Sequence, residues 1–254
     1  MITSFFYFLL LTIGIPAIES LLVASSTSSK IRSLSSRSIK MCTSTIPPLD
    51  QQPALKILLL VEPTPFGYVS GYANRFKEML KFLQKAGDKF HVLTPDPNPD
   101  PPKEFLGFPI TTNRGFEFPL YNQVTLSFDF KRETQRILRE FQPDIIHVST
   151  PSALVWPAVL WAILYKTPLV MSYHTDFQQY ARAYAPYPGS VALANFLLKS
   201  FHAHADLVLC TSPQLRDSME KIGIQRVDVW QKGINAEVRQ FRSKFYLIID
   251  AEIH

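Results

Sequence analysis

The chain has 254 residues, 46% hydrophobic and 19% charged. That balance excludes an intrinsically disordered protein and suits one large α/β domain or two small ones. Its +5 charge is uneven: residues 1–49 hold Lys30, Arg32, Arg37 and Lys40 against Glu19 alone, and the remainder holds 22 Lys and Arg against 20 Asp and Glu. A nearly balanced remainder offers no electrostatic footprint for DNA or RNA, so no nucleic-acid partner is expected. Of the two cysteines, Cys42 falls in the leading segment and Cys210 in an apolar run; one cysteine in the folded part excludes a disulfide framework and a cysteine zinc site there.

Residues 1–50 read as a targeting leader. The apolar run 5–18 is interrupted by Gly14 and Pro16, with Glu19 just beyond it, and is short for a membrane span of about 20 residues. The stretch that follows is rich in serine, basic, and free of acid after Glu19, the composition of an organellar transit peptide. A secretory signal cleaved near Val23-Ala24-Ser25 is the competing reading, though no Lys or Arg precedes the apolar run; a signal anchor is the third.

From Lys56 the sequence alternates. KILLLV (56–61) is an apolar run flanked by prolines, as expected of a strand buried on both faces. The segment 71–87 places Phe76, Met79, Leu80 and Leu83 on one helical stripe, with Gly87 at its end. KFHVLT (89–94) is a second strand, followed by the loop PDPNPDPP. Residues 129–141 form an amphipathic helix halted by Pro143, and 144–149 a strand. Residues 153–165 are apolar all round, as in a helix packed deep against a sheet; Pro157 kinks it or marks its start. Strands at 168–175, 206–212 and 227–233 alternate with helices at 188–205 and 213–223. This alternation predicts an α/β fold, a Rossmann-like parallel sheet with helices on both faces, over residues 51–235.

Ligands of such sheets sit beyond the carboxyl ends of the strands, which directs attention to Glu62–Tyr72, Ser149–Ser152, Tyr173–Asp176, Thr211–Ser212 and Lys232–Asn235. The first loop, EPTPFGYVSGY, lacks the glycine spacing of a dinucleotide-binding turn. Ser70 and Gly71 stand where a helix begins, so that either Ser70 is an N-cap or the backbone N–H groups there meet an anion. His147, in a strand among apolar residues, reads as a core histidine with a satisfied hydrogen bond. His174, beside Tyr173, Thr175 and Asp176, either faces a ligand hydroxyl or phosphate or is an ordinary loop histidine. His202 and His204 lie two apart on a helix and so on different faces, and no H-E-x-x-H occurs, so no metal site is proposed. In 177–188, Tyr180, Tyr184 and Tyr187 interleave with Arg182 in a loop that covers a sugar or lipid head group, or is simply surface. Arg75, Lys77, Lys81 and Lys85 on the first helix suit an anionic bilayer surface or a solvated face.

The segments KILLLVEPTPFGYVSGYANRF, FQPDIIHVSTPSALVWPA, PLVMSYHTDFQQYARAY, HAHADLVLCTSPQLRDSM and VWQKGINAE together resemble the N-terminal domain of retaining GT-B glycosyltransferases of family 4, above all the sulfolipid-forming sulfoquinovosyltransferases. The resemblance spans roughly residues 54–243, and its most specific part is the first loop. It implies transfer of sulfoquinovose from a UDP-sulfoquinovose donor to diacylglycerol or a similar lipid acceptor, with retention, at the chloroplast envelope and without a metal or other cofactor. It assigns His174 to catalysis and Phe66, Ser70 and Gly71 to the donor; their places after strands add Thr175, Asp176, Lys232 and Gly233 as candidate donor contacts, and the aromatic segment adds Tyr180, Arg182 and Tyr184 as candidate acceptor contacts. Two departures stand out. Asn235 replaces the aspartate that commonly follows Gly233-Ile234, and the tail 236–254 does not match the expected linker to a second, nucleotide-binding domain. On that reading the chain alone is inactive as a transferase; the alternatives are a non-catalytic truncated isoform that binds lipid or a partner, and a related transferase with another sugar or lipid acceptor.

Overall fold

In the computed structural model the described residues are 53–230, apart from 68–69, 114, 119–120, 128, 130–131 and 185–186. The expected leader (1–50), the tail (236–254), and Lys232, Gly233 and Asn235 lie outside them.

Strand β1 (Lys56–Leu60) opens the domain and leads to helix α1 (Gly71–Ala86), then β2 (Lys89–Pro95). Next come β3 (Glu104–Phe105), β4 (Phe108–Asn113), β5 (Phe116–Phe118), β6 (Tyr121–Leu126) and α2 (Glu133–Phe141). The second half repeats β7 (Ile145–Thr150), α3 (Val155–Tyr165), β8 (Leu169–Tyr173), α4 (Phe177–Tyr184), α5 (Ser190–His202), β9 (Leu207–Cys210), α6 (Pro213–Lys221) and β10 (Val227–Val229).

The main sheet runs β10-β9-β8-β7-β1-β2-β4-β3. It is parallel from β10 to β4, and only β3 is antiparallel. Strand β1 is therefore central: the chain moves one way to β2 and β4, and the other way through β7 to β10. Right-handed crossovers then put helices on opposite faces in the two halves. Alternate residues of β1 confirm it. Ile57 and Leu59 pack with Phe76, Met79, Leu80 and Leu83 of α1. Leu58 and Leu60 face the other way, into the core cluster that Ile137 and Leu138 of α2, Ala158 of α3, Leu198 of α5 and Met219 of α6 also join. The Rossmann-like α/β sheet expected from the alternation is the observed fold.

Local chemistry sets the ends of these elements. Ser70 Oγ accepts from Ala73 N at 3.0 Å to cap α1, and Gly87 closes it at φ 85° with its N–H on the Gln84 carbonyl. Ser212 Oγ caps α6 through Leu215 N, with Pro213 in the first turn. At the amino edge of the sheet three aspartates bind neighbouring strands: Asp88 accepts from Leu55 N, Asp144 from Lys56 N and Asp206 from Leu169 N. These carboxylates fix register at the end of the sheet opposite the crevice.

Three expectations need correction. The region 96–128, left without elements, contains four strands, of which β4 extends the parallel sheet by pairing with β2. Residues 177–184 form a helix, not a loop, because Asp176 Oδ1 accepts from Gln179 N at 3.0 Å and caps it. Helix α3 is not packed deep. Val155, Ala158 and Ala162 are buried, whereas Leu160, Ile163 and Leu164 are exposed, Leu164 by 55%. Pro157 stands in its first turn, where a missing N–H breaks no helical hydrogen bond. It therefore marks the start rather than a kink.

Candidate active site

The order of strands reverses between β1 and β7, so the crevice of this sheet opens where those strands and β8 end. Glu62, two residues past β1, is buried there. Its N–H donates to Ser149 Oγ at 2.9 Å, and the Ser149 hydroxyl lies 3.1 Å from the Glu62 carbonyl. Its carboxylate accepts from Ser127 N, and from Ser152 Oγ and Ala153 N at 2.6 Å each. Burial pushes the carboxyl up to about 7, against the downward pull of these donors. Glu62 thus fastens the first loop to the entry of α3. The same loop is tied to the end of β2 by Thr64 Oγ1, which donates to Asp96 at 3.1 Å.

His174 follows β8 directly. Its Nε2 lies 2.9 Å from Ser172 Oγ, and its N–H donates to the Thr150 carbonyl at 3.3 Å. The half-buried ring meets three aromatic neighbours: Tyr72 edge-on at 5.0 Å, Phe76 at 5.2 Å and Trp230 at 5.5 Å. Burial, then the positive charge of Arg75, then His147, hold its pKa well below 6.5. The ring is neutral at physiological pH. With Nε2 committed to Ser172, Nδ1 is the nitrogen left for a ligand. His202 supports this edge from behind, with Nε2 3.1 Å from Thr150 Oγ1 and Nδ1 donating to the Leu198 carbonyl at 2.7 Å.

Arg75 was expected on a solvated or bilayer-facing surface. Instead it turns inward: Nη1 donates to the Trp230 carbonyl at 3.0 Å, and the guanidinium lies 5.3 Å from the Trp230 ring centroid. His147 is buried as expected, but the expected hydrogen bond is missing. Among the described residues neither ring nitrogen has a partner, and burial pushes its pKa down to about 4. The reason is its company, since Phe76 and Trp230 are the rings beside it, at 6.0 and 6.1 Å.

The remaining residues singled out in the sequence divide. Ser70 is the N-cap of α1, with Gly71 exposed beside it. Thr175 and Asp176 are half-buried next to His174, and Asp176 is engaged in capping α4. Phe66 packs on Phe105 at 5.3 Å and anchors the first loop. Tyr180 and Arg182 are exposed on α4; the side chain of Tyr184 lies outside the described residues. Glu62 opens the first of the strand-end segments to which the sequence points, but its role as a hydrogen-bond hub is visible only in the structure, as is the place of Trp230 in the wall of the crevice. For Glu62 a signal existed, an acid standing directly after a fully apolar strand.

A parallel sheet whose switch point gathers a histidine, a buried carboxyl and a helix N-terminus has the layout of a ligand-binding α/β domain. Residues 69–238 match the model of Glycosyltransferase Family 4, and the chain belongs to that family. It is 34% identical over 185 residues to a sulfoquinovosyl transferase of Arabidopsis thaliana, covering 72% of this chain and 36% of that protein. It is 29% identical over 173 residues to a GDP-mannose-dependent alpha-mannosyltransferase of Mycobacterium tuberculosis, covering 66% and 45%. Among solved structures, a sucrose-phosphate synthase from Thermosynechococcus elongatus shares 15% identity at a TM-score of 0.45, covering 76% of this chain and 94% of that one. The chain spans between a third and a half of the length of these two curated relatives.

Proposed function

We propose that this domain forms the acceptor-side wall of a transferase that moves sulfoquinovose from UDP-sulfoquinovose to diacylglycerol. The supporting observation is a histidine placed at the carboxyl end of β8, beside the switch point, in a chain with 34% identity to a sulfoquinovosyl transferase. In this reading Nδ1 of His174 hydrogen-bonds the sugar, and neutrality matters because it can act as donor or acceptor according to tautomer. The first turn of α1, where Gly71 is exposed beside Ser70, offers its positive dipole end to the donor diphosphate. No metal is invoked; dipoles and basic side chains stabilise the leaving group. Thr175 and Asp176 border the sugar, and Tyr180 and Arg182 on α4 border the lipid acceptor at a membrane surface. Residues 1–50 direct the protein to the chloroplast envelope.

Donor choice tests the proposal. The domain, exchanged for the matching 185 residues of the Arabidopsis relative, is offered UDP-sulfoquinovose, UDP-glucose and GDP-mannose with diacylglycerol vesicles. Labelled lipid from UDP-sulfoquinovose in clear excess is expected. Labelled lipid from GDP-mannose instead would move the reading to the mannosyltransferase relatives.

A further inference from the structure

We propose that Arg75 is the anion-recognising residue of the crevice, binding a sulfonate or phosphate oxyanion of the sugar-nucleotide donor beside His174. The inference rests on the donor reading above for the identity of the ligand, and on the following geometry for the site.

Arg75 lies in the first two turns of α1, and its guanidinium is half-buried among groups that place it without neutralising it. One N–H is taken by the Trp230 carbonyl and one face lies against the Trp230 ring. Neither contact carries a full negative charge, and no carboxylate lies within ion-pair reach of it among the described residues. Of the other basic residues of α1, Lys81 pairs with Glu78 at 2.6 Å and Lys85 is exposed to solvent. A half-buried cation has lost part of its hydration, and an oxyanion that accepts two parallel N–H bonds restores it.

Its position gives that demand a location. Trp230 follows β10 and touches His174, His147 and Phe76, so the guanidinium stands at the carboxyl edge of the sheet in the wall that holds His174. The neutral imidazole supplies a hydrogen bond but no charge. Arg75 supplies the charge. Sulfoquinovose differs from a neutral hexose by a permanently ionised sulfonate, and a transferase that selects it needs a fixed cation where the sugar lies. The donor diphosphate is the other oxyanion that could meet Arg75.

The test measures binding of UDP-sulfoquinovose, UDP-glucose and UDP to the full chain by tryptophan fluorescence, with Trp230 beneath the guanidinium as reporter, and by ligand-observed NMR. Arg75→Gln and Arg75→Lys are compared with wild type after circular dichroism and thermal unfolding show that each is folded. If the sulfonate is the partner, Arg75→Gln weakens UDP-sulfoquinovose by about 10- to 100-fold, as for loss of a charge-assisted bond. UDP-glucose and UDP are then unchanged. If the diphosphate is the partner, all three weaken alike. In both cases Arg75→Lys recovers part of the loss, which a merely structural role would not produce. Unchanged binding of all three in Arg75→Gln, or no binding to wild type, overturns the inference. Failure of the donor reading looks different: wild type shows no preference for UDP-sulfoquinovose, while Arg75→Gln still weakens every nucleotide.

Discussion

The Glu62 carboxylate accepts a 2.6 Å hydrogen bond from the Ser152 hydroxyl, 90 positions along the chain, and so joins the end of β1 to the entry of α3. Ser127 N and Ala153 N use the same carboxylate. Replacing Glu62 with Ala leaves several buried donors without an acceptor, whereas Ser152→Ala removes one donor from a group that keeps others. The expected losses of stability are about 3–5 kcal/mol for Glu62→Ala and about 1 kcal/mol for Ser152→Ala. Urea unfolding measures both, and equal losses would show that Glu62 is not the centre of the network.

His147 predicts the opposite sign. Its two ring nitrogens are buried without partners among the described residues, so an apolar side chain of similar size removes a desolvation penalty. His147→Leu should raise stability by about 1–2 kcal/mol at pH 7, and a loss of more than 1 kcal/mol would mean that the imidazole is satisfied in solution.

The same residue sets a pH dependence. Its folded pKa is depressed from 6.5 to about 4, so its contribution is complete above 6.5 and is lost as pH falls through that window. His202 and His91 are also depressed to about 4 and act in the same direction. Glu62, raised from 4.5 to about 7, acts in reverse: its contribution is present below 4.5 and lost as pH rises through 7. The unfolding free energy of His147→Leu should therefore fall less than that of wild type between pH 6.5 and 4. Parallel curves for the two proteins would contradict the assignment.

Helix α3 separates burial from hydrophobicity. Ala158 is fully buried against the sheet, whereas Leu164 is exposed. Leu164→Lys should change stability by less than about 0.5 kcal/mol, and Ala158→Leu should cost about 1–3 kcal/mol by overpacking. Thermal unfolding of the two variants distinguishes them, and a large loss at Leu164 would place that side chain inside the fold.

Much of this architecture is legible in the sequence because the parallel strands are apolar on both faces and their helices carry one apolar stripe. Gly87, Ser212-Pro213 and Pro157 then mark where helices end or begin. The strands between 104 and 126 escape the same reading. They are short, they follow a proline-rich loop, and Pro109 within β4 argues against a strand unless the strand lies near an edge. Helix α4 was hidden by its tyrosines, since its stop and start depend on Asp176 and on the neighbouring fold rather than on a stripe. His174 was found from its position after a strand. Arg75 was not, because spacing on a helix shows which face a side chain leaves from but not that a distant Trp230 will receive it. Apolar composition likewise overstated the depth of α3.

The central claim is that the crevice beside His174 is where sugar transfer occurs. Its most direct test is sulfoquinovose transfer to diacylglycerol by the domain exchanged into the Arabidopsis relative, comparing wild type with His174→Ala. The account predicts labelled lipid from wild type and a loss of at least about 100-fold in kcat/KM for a correctly folded His174→Ala protein, as for removal of a group acting in the transition state. Transfer by His174→Ala at the wild-type rate would contradict it.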